Sequence, residues 1–214
     1  MSSARKQNSS VRARSCTVTP RSQTKAKIAA ANQPPLTGRF VALDFETADY
    51  GRDSACALCV VVVEDQTMVK TWNTLIRPPR SSFCFTYLHG IAWSDVKDKP
   101  SFAELWPEIR SFLDGADFVA AHNASFDRSV LNACCQSAAL KQPTQPYLCT
   151  VKVARTLWDL RPTKLPDVCR HLEIPLKHHD ATSDAQACAR ILLAARQQGH
   201  EYAHLLKKHS LRPV

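Results

Sequence analysis

The sequence predicts an α/β fold, a mixed central sheet with helices on its faces. Three observations carry that prediction. Three strand-like segments lie together near residues 40–76, and helical and strand patterns alternate after them, which implies helices packed on a sheet. The first segment, Phe40 to Phe45, is apolar on both faces, as a central strand must be. No apolar run approaches the length needed to span a bilayer.

The elements follow in order. After Phe40–Phe45, residues 55–63 and 67–76 read as two more strands, with Glu64-Asp65-Gln66 as the turn between them. Arg77-Pro78-Pro79-Arg80 closes that hairpin. Phe102, Leu105, Ile109, Phe112 and Leu113 recur at helical spacing, and Ser101 stands three residues before Glu104 as an N-cap. A short strand is expected over 117–121, a helix over 126–140, and a last strand over 147–151 that runs into a helix through Trp158. Pro166 suits the first turn of a helix over 165–172. Residues 182–196, rich in Ala and Leu, form the longest helix, and 202–209 read as a final turn or two. Phe83, Phe85 and Tyr87 alternate as on a strand, and core packing is favoured over base stacking for them; Met68 and Trp72 are expected in the core.

Three segments result: a basic arm (1–38), a folded domain (39–200) and a C-terminal extension (201–214). The net charge is +9, and the arm carries Arg5, Lys6, Arg12, Arg14, Arg21, Lys25 and Lys27 with no acid, which leaves +2 for residues 39–214. The arm is expected to be disordered or transiently helical, and is read either as a phosphate contact or as a solvated extension. Its Arg- and Ser-rich composition is also that of a transit peptide. Nothing in MSSARKQNSSVRARS resembles a secretory h-region, and nine cysteines, mostly in apolar stretches, read as reduced core thiols of a cytoplasmic protein. Cys56 and Cys59, three apart on a strand, point to opposite faces, and no second C-x-x-C pair exists to complete a zinc site.

The first strand ends in carboxylates. Asp44 and Glu46 share a face while Leu43 and Phe45 share the other. Two acids near an interior repel each other and lose hydration, a cost that a divalent cation reverses. Asp-x-Glu alone is weak, but two further stretches join it. DFVAAHNASFD (117–127) runs a strand into a helix whose first turns hold Asp127. HHDATSDAQACARILLAA (178–195) places His178 and His179 before a helix capped by Thr182 or Ser183, with Asp184 in its first turn.

With LDFETAD, HNASFD and HHDATSDA in this order, the chain resembles the DEDDh, or DnaQ-like, 3′–5′ exonucleases, a group that includes the proofreading epsilon subunit of bacterial DNA polymerase III. The resemblance covers roughly 39–197; FTYLHGI (85–91) and KLPDVCRHLEIPLKHHDA are similar to further family segments. One departure is Thr47-Ala48-Asp49, where the family commonly has Thr-Gly.

The resemblance implies a ribonuclease H-like fold, two Mg²⁺ or Mn²⁺ ions roughly 4 Å apart, and release of 5′-mononucleotides from 3′ ends. It implies Asp44, Glu46, Asp127 and Asp184 as metal ligands, with Asp44 on both ions. His179, five residues before Asp184, is the implied general base in preference to His178. Thr47 and Ala48 are candidates for the terminal 3′-hydroxyl through their amides. Phe45 is read as core before base contact, and His89 and Asn123 either line the groove or hold loops. The expected partner is a nucleic acid 3′ end, single-stranded DNA before RNA, with association with a DNA polymerase as a further expectation and no membrane. The rivals are an exoribonuclease similar to ribonuclease T or oligoribonuclease, and a non-catalytic nucleic-acid-binding or polymerase-associated module.

Overall fold

Residues 38–206 are described in this computed structural model. The expectations for the basic arm, apart from Gly38, and for residues 207–214 fall outside the described residues. The strands are β1 (Phe40–Thr47), β2 (Ala55–Glu64), β3 (Thr67–Leu75), β4 (Val119–Ala121) and β5 (Tyr147–Cys149). They form one mixed sheet in the order β3-β2-β1-β4-β5, so β1 is central. The β1–β2 and β2–β3 pairings are antiparallel, and β1–β4 and β4–β5 are parallel.

Local chemistry explains the turns. Asp65 and Gln66 both have positive φ (46° and 68°), the geometry of a two-residue hairpin loop whose twist matches its strands. A bulge in β3 pairs Val62 with Lys70 but Val63 with Met68. The extra residue switches faces, so Met68 and Trp72, four apart, pack half-buried into opposite sides of the sheet.

Seven helical segments follow among the described residues. Two short ones, α1 (Thr86–His89) and α2 (Trp93–Val96), were not legible in the sequence. The strand-like spacing of Phe83, Phe85 and Tyr87 is corrected by α1. Phe83 packs on a small cluster with Ala48, Cys56 and Val96, Phe85 meets Tyr50 edge-on, and Tyr87 is 79% exposed. Helix α3 (Phe102–Leu113) carries the expected capping box: Glu104 N–H donates to Ser101 Oγ, and Ser101 N–H to Glu104 Oε2 at 2.7 Å. Helix α4 (Ser125–Ser137) stops three residues short of expectation. Ala139 turns left-handed, and the N–H groups of Ala139 and Leu140 close back onto Gln136 and Cys135, a Schellman ending. The last strand also ends early, at Cys149, because α5 (Thr150–Leu157) begins at the next residue. Helices α6 (Leu165–His171) and α7 (Ala181–Gln197) and a 3₁₀ turn (Ala203–Leu205) complete the order.

The alternation along β1 divides the core. Val41, Leu43 and Phe45 face α3 and α4, meeting Trp106, Ile109, Leu113, Val130 and Leu131. Phe40 and Ala42 face the side of α5 and α7, whose Ala185, Cys188, Ala189 and Leu192 pack there. Each fully buried aliphatic or aromatic side chain contributes about 1.5–3 kcal/mol of burial. The small residues of α7 let it lie close across β1, on the face that Asp44 and Glu46 extend. Cys56 and Cys59 are buried in separate clusters, as their spacing requires, and burial pushes both thiols up to about 12. Among the described residues Cys84 departs from the core reading, being exposed, and Cys149 is half-buried.

Candidate active site

The acids converge where β1 outruns β4. Val41 N–H bonds Phe118 O on the β4 side, so by alternation Phe45 N–H faces the same way. The β1–β4 pairing reaches only Ala42↔Ala120, so Phe45 N–H has no strand partner there. Asp127, the third residue of α4 and 2% exposed, fills that place: its Oδ1 accepts from Phe45 N–H at 3.2 Å. A helix on one face of the sheet thereby sends a carboxylate round the strand end towards Asp44 and Glu46.

The fourth acid arrives from α7. Its N-cap is Asp180, which accepts from Thr182 and Ser183 N–H at 3.1 Å; this corrects the expectation of Thr182 or Ser183 as the cap. Ser183 Oγ instead accepts from Lys177 N–H at 2.8 Å and braces the preceding turn. Asp184 is 4% exposed. Its Oδ2 accepts from His179 N–H at 3.2 Å and lies 3.0 Å from His178 Nδ1, while its Oδ1 is buried with no hydrogen-bond partner.

Burial and mutual repulsion govern the site. Asp44 keeps some surface but lies deep among protein atoms; desolvation raises it well above the usual carboxylate range, and Asp127, Asp184 and Glu46 raise it further. Glu46 is pushed up to about 7 by burial and by Asp184 and Asp127. Asp127 also reaches about 7, with burial outweighing the Phe45 bond that favours its charged form. Desolvation raises Asp184 as well, against the opposing pull of His178.

The two histidines stack with ring centres 3.9 Å apart. His179 adopts φ 66°, a left-handed turn that aims its N–H back at Asp184. Burial, then His178, lowers its pKa, which favours the neutral ring. His89 is fixed by Ile91 N–H donating to its Nδ1 at 3.0 Å, which leaves Nε2–H to donate to Thr47 O at 3.2 Å.

Two cavities share these groups. One, of about 280 Å³, is lined by all four acids, both stacked histidines, Phe45, Thr47, His89 and Asn123. Phe45 is 4% exposed and belongs to the core, as its opposite-face position predicts. Ala48 is corrected: it is fully buried, its N–H donates to Ser54 O at 2.8 Å, and no free amide is left for a substrate. Asn123 has φ 64°, accepts from Ser125 Oγ, and lines both cavities.

The second cavity, of about 700 Å³, shares His122 with the first and adds Arg155, Arg161 and Lys164 beside Asp44 and Asp184; sequence reasoning missed these four. His122 is half-buried, and desolvation lowers it to about 4. As a neutral ring it donates from Nε2 to Thr163 O at 3.0 Å and accepts at Nδ1 from Thr150 Oγ1 at 2.8 Å. The only sequence signal was its place at the end of β4, because its partners lie 28 and 41 residues away.

Comparison with known proteins gives the family and the fold. The family model described as exonuclease matches residues 41–192. DNA polymerase III PolC-type from Thermotoga petrophila is 32% identical over 158 residues, which cover 72% of this chain and 12% of that protein. Its counterpart from Caldanaerobacter subterraneus is 34% identical over 168 residues, covering 76% and 12%. The chain thus spans about an eighth of the length of these curated relatives. Among solved structures, exonuclease X in complex with 5′ overhanging duplex DNA matches with a TM-score of 0.63 and 25% identity, over 78% of this chain and 96% of that one. The nuclease domain of 3′hExo, a DEDDh family member bound to rAMP, matches with 0.67 and 18% identity over 81% and 97%, a likeness of fold. The sheet and its helices are the ribonuclease H-like arrangement.

Proposed function

The chain belongs to the exonuclease family of DnaQ-like nucleases, and from this we propose that its acidic cleft removes 5′-mononucleotides one at a time from nucleic acid 3′ ends. The observation that carries the proposal is the convergence of Asp44, Glu46, Asp127 and Asp184 from three elements, with Asp184 Oδ1 buried and unpartnered.

That orphaned oxygen tests whether divalent cations fit. A buried carboxylate oxygen without a donor is costly, and the four carboxylates offer hard oxygen donors of the kind Mg²⁺ and Mn²⁺ prefer. Among the described residues no three such side chains stand at ligating separation. Asp44, Glu46, Asp127 and Asp184 would hold the ions. Bound there, they would supply positive charge for the scissile phosphate and lower the pKa of an attacking water. His179 would be the base for that water, and the stacked ring of His178 and the backbone bond to Asp184 limit its motion. His89 holds the Thr47 carbonyl at the wall, and Asn123 places the loop between the cavities.

DNA is the proposed substrate, because the relatives above 30% identity are named as DNA polymerases. Work beside a polymerase in the cytoplasm is the accompanying proposal. The test is a 5′-labelled DNA and a matching RNA oligonucleotide, each with Mg²⁺, Mn²⁺ or chelator. A ladder shortening from the 3′ end, faster on DNA and absent with chelator, is the expected result. A faster RNA ladder would move the substrate to the ribonuclease T type. Tight binding without any product would leave a non-catalytic module.

A further inference from the structure

Resting on that exonuclease reading, we infer that the groove walled by Arg155, Arg161 and Lys164 is a phosphate track that holds the nucleotides adjoining the scissile linkage.

Position is the first ground. These three cations line the same cavity as Asp44 and Asp184, next to the bonds that would break. The groove also continues past Arg155 into a neighbouring cavity of about 480 Å³, lined by Asn123, Ser125, Arg128 and Lys152. A run of basic and hydroxyl side chains leading away from a cluster of acids matches a polyanion whose end is being cut, since the acids repel phosphate and the cations beyond them draw it in.

Construction is the second. Arg155 is not a loose surface arginine: its Nε donates to Thr163 Oγ1 at 3.0 Å. Thr163 is buried, and its carbonyl accepts from His122, whose other nitrogen meets Thr150 at the start of α5. The end of β4, α5 and the loop before α6 are thus tied by one chain of hydrogen bonds that fixes the cationic wall relative to the acids.

Pairing is the third. Arg39, Arg77, Arg80, Arg110 and Arg170 each hold a carboxylate at 3.0–3.7 Å. Arg155, Arg161 and Lys164 have no such partner among the described residues. Three like charges on one side of the cavity, none of them ion-paired with the acids on its other side, repel one another, and an anion laid between them lowers that cost.

The experiment measures binding apart from chemistry. A fluorescein-labelled single-stranded 12-mer DNA is titrated by anisotropy with full-length Asp44→Ala protein in Mg²⁺, at several salt concentrations. The same chain carrying Arg161→Gln and Lys164→Gln, two side chains that hold no carboxylate among the described residues, is expected to raise Kd about tenfold or more. Its log–log salt slope is expected to flatten by about 0.7 for each phosphate that the variant no longer neutralises. Arg155→Gln is expected to act likewise, and Arg110→Gln, outside both cavities, to change neither quantity. Unchanged Kd and slope in the Arg161/Lys164 variant would overturn the track, whatever the wild type hydrolyses. Weakened binding together with an inert wild type would leave the track standing and defeat the exonuclease reading instead.

Discussion

His178 Nδ1 lies 3.0 Å from Asp184 Oδ2, and the backbone N–H of His179 donates to the same oxygen at 3.2 Å. One ring is tied to the acid by its side chain, and the other is left free to serve a water. His179→Ala is therefore expected to lower kcat by about 10²–10⁴-fold, and His178→Ala by about tenfold or less. Burial and His178 both lower the pKa of His179. The rising limb of the wild-type pH–rate profile should accordingly fall below the ordinary histidine value and vanish in His179→Ala. A larger loss in His178→Ala would exchange the two roles.

Asp127 bonds the Phe45 amide as well as facing the cleft, so two substitutions separate its functions. Asp127→Asn keeps an acceptor for Phe45 N–H and is expected to abolish hydrolysis with little loss of stability. Asp127→Ala also leaves a buried N–H unpaired, which costs about 1–3 kcal/mol. Denaturant melts of the two variants check the difference.

Glu46 and Asp127 are both raised to about 7. A carboxyl raised in this way binds protons more readily in the folded chain than in the unfolded one. The metal-free fold is thus favoured below about pH 4, loses stability as pH climbs from about 4 to 7, and stays at the lower level above that. Glu46→Gln should raise the metal-free Tm by several degrees at pH 8 and leave it nearly unchanged at pH 4. Mn²⁺ should raise the wild-type Tm more at pH 8 than at pH 5.

Much of this site was legible because its signals are local. The i,i+2 spacing of Asp44 and Glu46 fixes their shared face once Phe40–Phe45 is read as a central strand, and five residues separate His179 from Asp184 in any register. Ser101 and Glu104 announce α3 in the same local way. What was missed is non-local or too short for a period. Four-residue helices such as α1 show no repeat, so Phe83, Phe85 and Tyr87 imitated a strand until Ala48 O accepted the Cys84 and Phe85 amides. Ala48 seemed available until Ser54 was seen to hold its N–H. His122 meets partners in α5 and the loop before α6, which no window of sequence brings together.

That network gives its own expectation. His122→Ala leaves the Thr163 carbonyl and the Thr150 hydroxyl without their ring partner, and a loss of about 2 kcal/mol follows. Because Thr163 also holds Arg155, KM for an oligonucleotide should rise more than kcat falls. Steady-state kinetics on a labelled 12-mer measure that split.

The most direct measurement is a Mn²⁺ titration of the full chain at pH 8, following free ion by electron paramagnetic resonance. The wild type should take up as many as two ions, and Asp44→Asn, which removes one of the four clustered carboxylates, should lose that uptake while remaining folded. Equal uptake by the two proteins, or none by the wild type, would contradict a cleft in which distant acids gather to hold cations.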